Sequence, residues 1–190
     1  TNFYGATKIA GEHMCRSLYH RFRETSQAFN YVGLRYMNVY GSRQDYQGAY
    51  IAVIMKILDR LDKGLPPIIY GDGSQAYDFI NVVDCARANV CAMKADVTDK
   101  FYNVGRGIRT TIKELAELLL EITGSTQGIQ YEPAGMTFVK NRIGCPVKAR
   151  DEIGFEAKIE LRQGLIDLIE WRKNHKSEVE KRRNEAGIKE

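Results

Sequence analysis

An α/β fold is what the sequence predicts, and three observations carry it. Ile9, Met14, Leu18 and Phe22 recur at helix-like spacing among polar residues in 4–23, and the bulky β-type run "YVGLRY" (31–36) follows directly. Helical and short extended segments then alternate to the end of the chain. At 190 residues, 44% hydrophobic and 27% charged, the chain is long enough to bury a sizeable core.

The elements follow in order. "AYIAVIMKILDRLDKG" (49–64) reads as a strongly apolar helix stopped by Gly64, and Pro66 and Pro67 introduce the short strand "IIY". "DGS" supplies a turn before "DFINVV". Asp84 is a suitable N-cap for a helix through Met93. Strand "FYNV" (101–104), helix "TIKELAELLLEITG" (111–124), a strand near 129–132, a short helix near 147–153 and a helix near 161–174 complete the pattern. The closing "KSEVEKRRNEAGIKE" (176–190) is dense in charge and poor in apolar residues, so it reads as a frayed or solvated tail.

Composition excludes several classes. The net charge of +4 comes from 28 basic against 24 acidic residues spread along the chain, which favours small anionic ligands over nucleic acid. Cys15, Cys85, Cys91 and Cys145 have no C-x-x-C spacing, and no histidine falls beside them. Neither a metal site nor a disulfide framework is expected, and reduced thiols fit a cytoplasmic protein. No apolar run reaches membrane-spanning length and no leader pattern opens the chain, so a membrane partner is not expected. A dinucleotide-binding glycine turn is also missing. "VGRG" (104–107) has two glycines after a strand, but no third follows and Arg106 and Arg109 crowd it.

The opening "TNFYGATKIAGEHMCRSLYH" places Tyr4 and Lys8 four residues apart, just over one helical turn, hence on one face. A lysine ammonium near a phenol favours the phenolate, which suits a general acid or base working at a carbinol carbon. Gly5 and Ala6 leave that face uncrowded for a flat ligand. Such pairs also occur on helices without any chemistry.

"YGATK", "GLRYMNVYG", "GLPPIIYGDGSQAYDFINVVDCARANVCAM", "FYNVGRGIRTTIKEL" and "KARDEIGF" with "GLIDLIEW" stand in that order. Together they resemble the C-terminal part of the extended short-chain dehydrogenase/reductase family, in its branch of NAD-dependent nucleotide-sugar epimerases and dehydratases of the UDP-glucose 4-epimerase type. The resemblance spans about residues 3–172. It implies the end of a Rossmann-type, doubly wound parallel sheet in 1–48, a smaller substrate-binding α/β lobe in 49–175 with 78–104 returning to the Rossmann half, and a charged tail. It also implies a longer enzyme, whose glycine-rich turn and catalytic serine or threonine would precede Thr1, so that this chain alone would be inactive.

Roles follow from the same resemblance. Tyr4 would be the acid/base at the sugar hydroxyl, and Lys8 would hold the nicotinamide ribose of NAD. Tyr36 and Met37 would lie along the nicotinamide, and Asn38 would reach the substrate diphosphate. Ile68 and Tyr70 would contact uracil, although Tyr70 also reads as a half-buried strand aromatic. Tyr77 stands where many relatives have a diphosphate-binding arginine, and a phenol cannot reproduce the bidentate fork. Arg142 is the remaining candidate for phosphate. The implied activity is epimerisation of a UDP-sugar through a transient keto-sugar, with NAD as cofactor and a homodimer formed through helix 4–23. A 4,6-dehydratase and a non-catalytic substrate-binding remnant are the alternatives.

Overall fold

The computed structural model describes residues 3–44, 53–134 and 140–185. Its elements are α1 (Phe3–Phe22), β1 (Val32–Tyr36), β2 (Asn38–Tyr40), α2 (Val53–Asp62), β3 (Ile68–Tyr70), β4 (Ala76–Tyr77), β5 (Phe79–Asn81) and α3 (Val82–Lys94). These are followed by β6 (Lys100–Val104), β7 (Thr110–Thr111), α4 (Ile112–Thr123), β8 (Gln130–Glu132), β9 (Asn141–Arg142), α5 (Val147–Ile153), α6 (Leu161–Asn174) and α7 (Lys176–Glu185). The first four residues of the predicted helix 49–64 lie outside the described residues.

The parallel strands set the architecture. β1 pairs with β6, from Val32 opposite Lys100 to Tyr36 opposite Val104. The chain then changes partner within two residues. The Met37 N–H donates to the Val104 carbonyl at 2.9 Å, the Asn38 N–H donates to the Asp78 carbonyl at 2.9 Å, and β2 continues in parallel with β5. α3 connects β5 to β6, taking the chain from the partner of β2 to the partner of β1. A separate parallel ladder joins β3 to β8, and β4 lies between antiparallel β7 and parallel β9.

Two cores result. One gathers Ile80, Cys85, Ala88, Tyr102, Val104, Ala149, Ile153 and Phe155, with Val32, Leu34, Met37 and Val39 packed on it. The other gathers Tyr40, the buried stripe of α2, Ile69, Phe79, Leu115, Leu119 and the inner face of α6. Tyr40 belongs to both geometry and packing. Its ring is 1% exposed, and Gly164 of α6 has no side chain because a Cβ there would lie 2.1 Å from the Tyr40 hydroxyl.

Helix ends carry their local signals. Thr111 and Glu114 close a capping box on α4: the Thr111 hydroxyl accepts from the Glu114 N–H at 3.0 Å and Glu114 accepts from the Thr111 N–H at 2.7 Å. Gly124, in the left-handed region at φ 66°, stops the helix.

Two sequence expectations are corrected. Asp84 does not cap α3. Asn81, extended at φ −70° and ψ 142°, is the cap and accepts from the Val83 N–H at 2.9 Å. The helix therefore starts earlier, and Asp84 falls in its first turn, fully buried, where it binds another segment. Within the charged tail, 176–185 are not frayed either, for they form α7. Val179 enters the core, and Arg183 pairs with Asp59 and Asp62 of α2, so tertiary contacts order a segment too polar to order itself.

Candidate functional site

Helix α1 runs antiparallel to β1 across one face of the sheet. Tyr19 meets Tyr31 with ring centroids 6.0 Å apart, and farther back along the helix Glu12 accepts from the Arg35 Nε at 2.6 Å. Continuing the helix at about 1.5 Å per residue carries Lys8 and Tyr4 beyond Glu12, toward the end of β1 where the chain changes partner. Open α/β sheets bind ligands outside the carboxyl ends of their strands at such a switch.

No residue of α1 is buried. Polar and aromatic contacts hold it. The guanidinium groups of Arg16 and Arg35 each lie over the Phe101 ring of β6, 5.7 and 5.4 Å from its centroid. Gly33, opposite Phe101 in the ladder, makes room for that ring, since a Cβ there would come within 2.2 Å of it. Asp99 accepts from Tyr31 and from Arg16 at 3.0 Å and faces His20 at 3.3 Å. The Tyr31 hydroxyl and then Arg16 hold the Asp99 carboxyl below its usual range, and the Arg35 hydrogen bond does the same for Glu12. Burial, followed by Asp99, pushes Tyr31 up to about 12.

At the N-terminal end of α1, the Lys8 ammonium sits over the Tyr4 ring, 5.2 Å from its centroid. The pair thus shares a face, with the cation on the ring. Both side chains are exposed, Tyr4 to 54%.

At the switch, Tyr36 and Met37 diverge. Arg35 faces α1, so Tyr36 turns to the opposite face, where its hydroxyl and the Asn89 side chain of α3 are 2.8 Å apart. A ligand on the α1 face would meet Tyr36 through its backbone. Met37 packs against the backbone of Gly105 and Gly144, where added Cβ atoms would lie 2.7 and 2.9 Å from its side chain. Asn38, half-buried, and exposed Arg142 flank Asp78. The Asp78 carbonyl accepts from the Asn38 N–H, and the Asp78 N–H donates to the Arg142 carbonyl, both at 2.9 Å. Two strand spacings, about 10 Å, separate Asn38 from Arg142. Arg142 is also directly opposite Tyr77 in the ladder, so a guanidinium stands one strand away from the phenol. Ile68 and Tyr70 stand on the other parallel ladder, linked to β4 by Gln75, whose Nε2 donates to the Tyr70 carbonyl at 2.9 Å. Tyr70 is exposed and Ile68 half-buried.

The glycine pair after β6 is closed to phosphate. The buried Asp78 carboxylate accepts from the Arg106 and Gly107 N–H groups, each at 2.9 Å, occupying the donors that an anion would need. Arg106 pairs with Glu160, and Arg109 donates to the Ser74 carbonyl at 3.3 Å.

Several of these side chains escaped sequence reasoning. Glu12 had a signal, one turn beyond Lys8 on the same helix. Asp78, Asn89 and Phe101 had none, because their partners are distant in sequence. All four cysteines are free, and no cluster suited to a metal occurs among the described residues. No helix among them is long and apolar enough to cross a membrane.

Comparison with known proteins bears on this geometry. The sequence model of the NAD dependent epimerase/dehydratase family matches residues 1–105. The chain is 34% identical over 172 residues to a putative UDP-glucose 4-epimerase of Methanocaldococcus jannaschii, covering 90% of this chain and 53% of that protein. It is similar to the crystal structure of UDP-glucose 4-epimerase with UDP-glucose from Thermotoga maritima, with a TM-score of 0.78, 32% identity, and coverage of 90% and 53%. It is also similar to the UDP-N-acetylglucosamine 4-epimerase of Methanobrevibacter ruminantium in complex with UDP-N-acetylmuramic acid, with a TM-score of 0.80, 31% identity, and coverage of 90% and 53%. The chain spans about half the length of the relatives it matches.

Proposed function

The chain belongs to the NAD-dependent epimerase/dehydratase family, and from that premise we propose that it forms the second half of a nucleotide-sugar epimerase of the UDP-glucose 4-epimerase kind. The observation that carries this reading is that α1, with Tyr4 and Lys8 in its first turns, runs antiparallel to β1 toward the strand switch at Tyr36–Asn38, and that Asn38 and Arg142 both hydrogen-bond to the backbone of Asp78.

Tyr4 takes the proton of a sugar hydroxyl and later returns one to the same oxygen. Lys8, placed on the Tyr4 ring, holds the ribose hydroxyls next to it. NAD, when bound, would supply a reversible hydride acceptor for the sugar carbon. Between the two transfers the substrate is a keto-sugar, and its rotation presents the other face for reduction. Asn38 and Arg142 keep the diphosphate fixed during that rotation, with Ile68 and Tyr70 against the uracil. Exposed Tyr4 and Lys8 would hold the nicotinamide end of the cofactor. Its pyrophosphate has no seat on the 104–107 turn, whose N–H groups Asp78 occupies.

Calorimetry on the 190-residue chain tests this division. UDP is expected to bind in preference to NAD, because a few polar contacts in an open half-site must also offset an association cost of several kcal/mol. The chain alone should not interconvert UDP-glucose and UDP-galactose. Sub-millimolar NAD binding would overturn the assignment.

Association follows from α1. Met14 and Leu18 are 65 and 47% exposed and share one side of the helix with half-buried Phe22, whereas Ile9, 58% exposed, falls on the side of Glu12 and Arg16, so α1 presents a short apolar strip. A second copy covering it would give a homodimer. Light scattering on the full-length protein should give a dimer mass; a monomer at micromolar concentration counts against it.

A further inference from the structure

Helix α7 lies beyond the region of family resemblance, so no role reaches it from there. Its contacts are specific nonetheless. The Arg182 Nη1 donates to the Arg43 carbonyl at 2.9 Å, while its Nε and Nη2 reach Glu178 Oε1 at 3.2 and 2.8 Å. Arg43 has φ 62°, the left-handed region that side chains disfavour, and it stands three residues after β2, the strand that begins with Asn38. Glu178, one turn back on the helix, aims the guanidinium, and a charged donor strengthens the bond to the strained peptide.

The helix making this contact is itself clamped. Val179 is 5% exposed in the core. Arg183 reaches Asp59 and Asp62 of α2, and the same carboxylates accept from Arg172 of α6 at 2.8 and 2.6 Å. Two guanidinium groups thus meet two carboxylates, and Arg172 is almost wholly buried there. Asp62 is 54% exposed, but the Arg172–Asp59 pair is largely out of solvent, and breaking it costs more than breaking a surface pair. Gln44 holds the same turn from inside, its Nε2 donating to the Val39 carbonyl at 3.4 Å.

We propose that Arg182 is a positioning residue for the substrate segment: by holding the Arg43 carbonyl it fixes the turn that ends β2 and, through that strand, the place of Asn38. The proposal rests on the reading of Asn38 as a diphosphate ligand. It makes α7 part of the substrate site without touching substrate.

Hydrogen exchange and UDP calorimetry on the 190-residue chain, unsubstituted and as Arg182→Ala and Arg182→Lys, test it. Arg182→Ala should speed exchange over 38–44 about tenfold and weaken UDP about tenfold, leaving β1 and β6 unchanged. Arg182→Lys retains a charged donor and should recover most of both. Unchanged exchange over 38–44 in Arg182→Ala overturns the proposal, as does loosening spread evenly over α2, α4 and α6, which marks a purely structural residue. If the unsubstituted chain binds no UDP, the assignment of Asn38 falls. If UDP binds the Arg182→Ala chain normally, only the role of Arg182 falls.

Discussion

Tyr4→Phe in the full-length enzyme is expected to lower turnover by about two to four orders of magnitude while UDP-sugar affinity changes little. The substitution keeps the ring, and with it the surface on which the Lys8 ammonium rests, 5.2 Å from the centroid. On the proposed reading it removes the oxygen that would exchange a proton with the sugar hydroxyl. A loss confined to the transition state lowers kcat and kcat/KM together and spares KM. Stability should be insensitive, because Tyr4 is 54% exposed on a helix that buries none of its residues. Near-normal turnover, measured as conversion of UDP-galactose to UDP-glucose, would reduce Tyr4 to an ordinary helix residue.

How much of this was legible in the sequence depends on how far each signal travels along the chain. Periodicity found α1, β1, α4 and α6 because their patterns are local, and the end of α4 was legible in Gly124. The two-residue strands β4, β7 and β9 have no period to read, so the register that sets Arg142 opposite Tyr77 belongs to the folded chain alone. Tyr4 and Lys8 stood out by their one-turn spacing, but their roles, and Asn38 altogether, were named through family resemblance. The polar contacts that hold α1 were invisible, as Arg16 and Asp99 are 83 residues apart. Low apolar content hid α7, whose order comes from one valine and from arginines meeting carboxylates on α2.

Asp84 shows the same limit, and it carries the second large effect expected. Its first-turn position and side chain suit a cap, yet the carboxylate is fully buried and its Oδ2 accepts from the Lys158 and Ile159 N–H groups at 3.0 and 2.9 Å. Its Oδ1 pairs with Arg87, which also donates to the Glu156 carbonyl at 3.2 Å. One carboxylate therefore ties α3 to the segment that leads into α6, joining the sheet-side core to the other. Asp84→Ala leaves the two backbone donors without a partner, at about 1–3 kcal/mol each, and removes the anion beside Arg87. A loss of roughly 3–5 kcal/mol is expected, a large part of the 5–15 kcal/mol typical of a domain. Asp84→Asn keeps an acceptor oxygen but no charge, so its loss should be clearly smaller. Urea denaturation of the 190-residue chain checks both: a midpoint unchanged by Asp84→Ala would mean that the Lys158–Ile159 segment finds other acceptors, and that this carboxylate does not hold the two cores together.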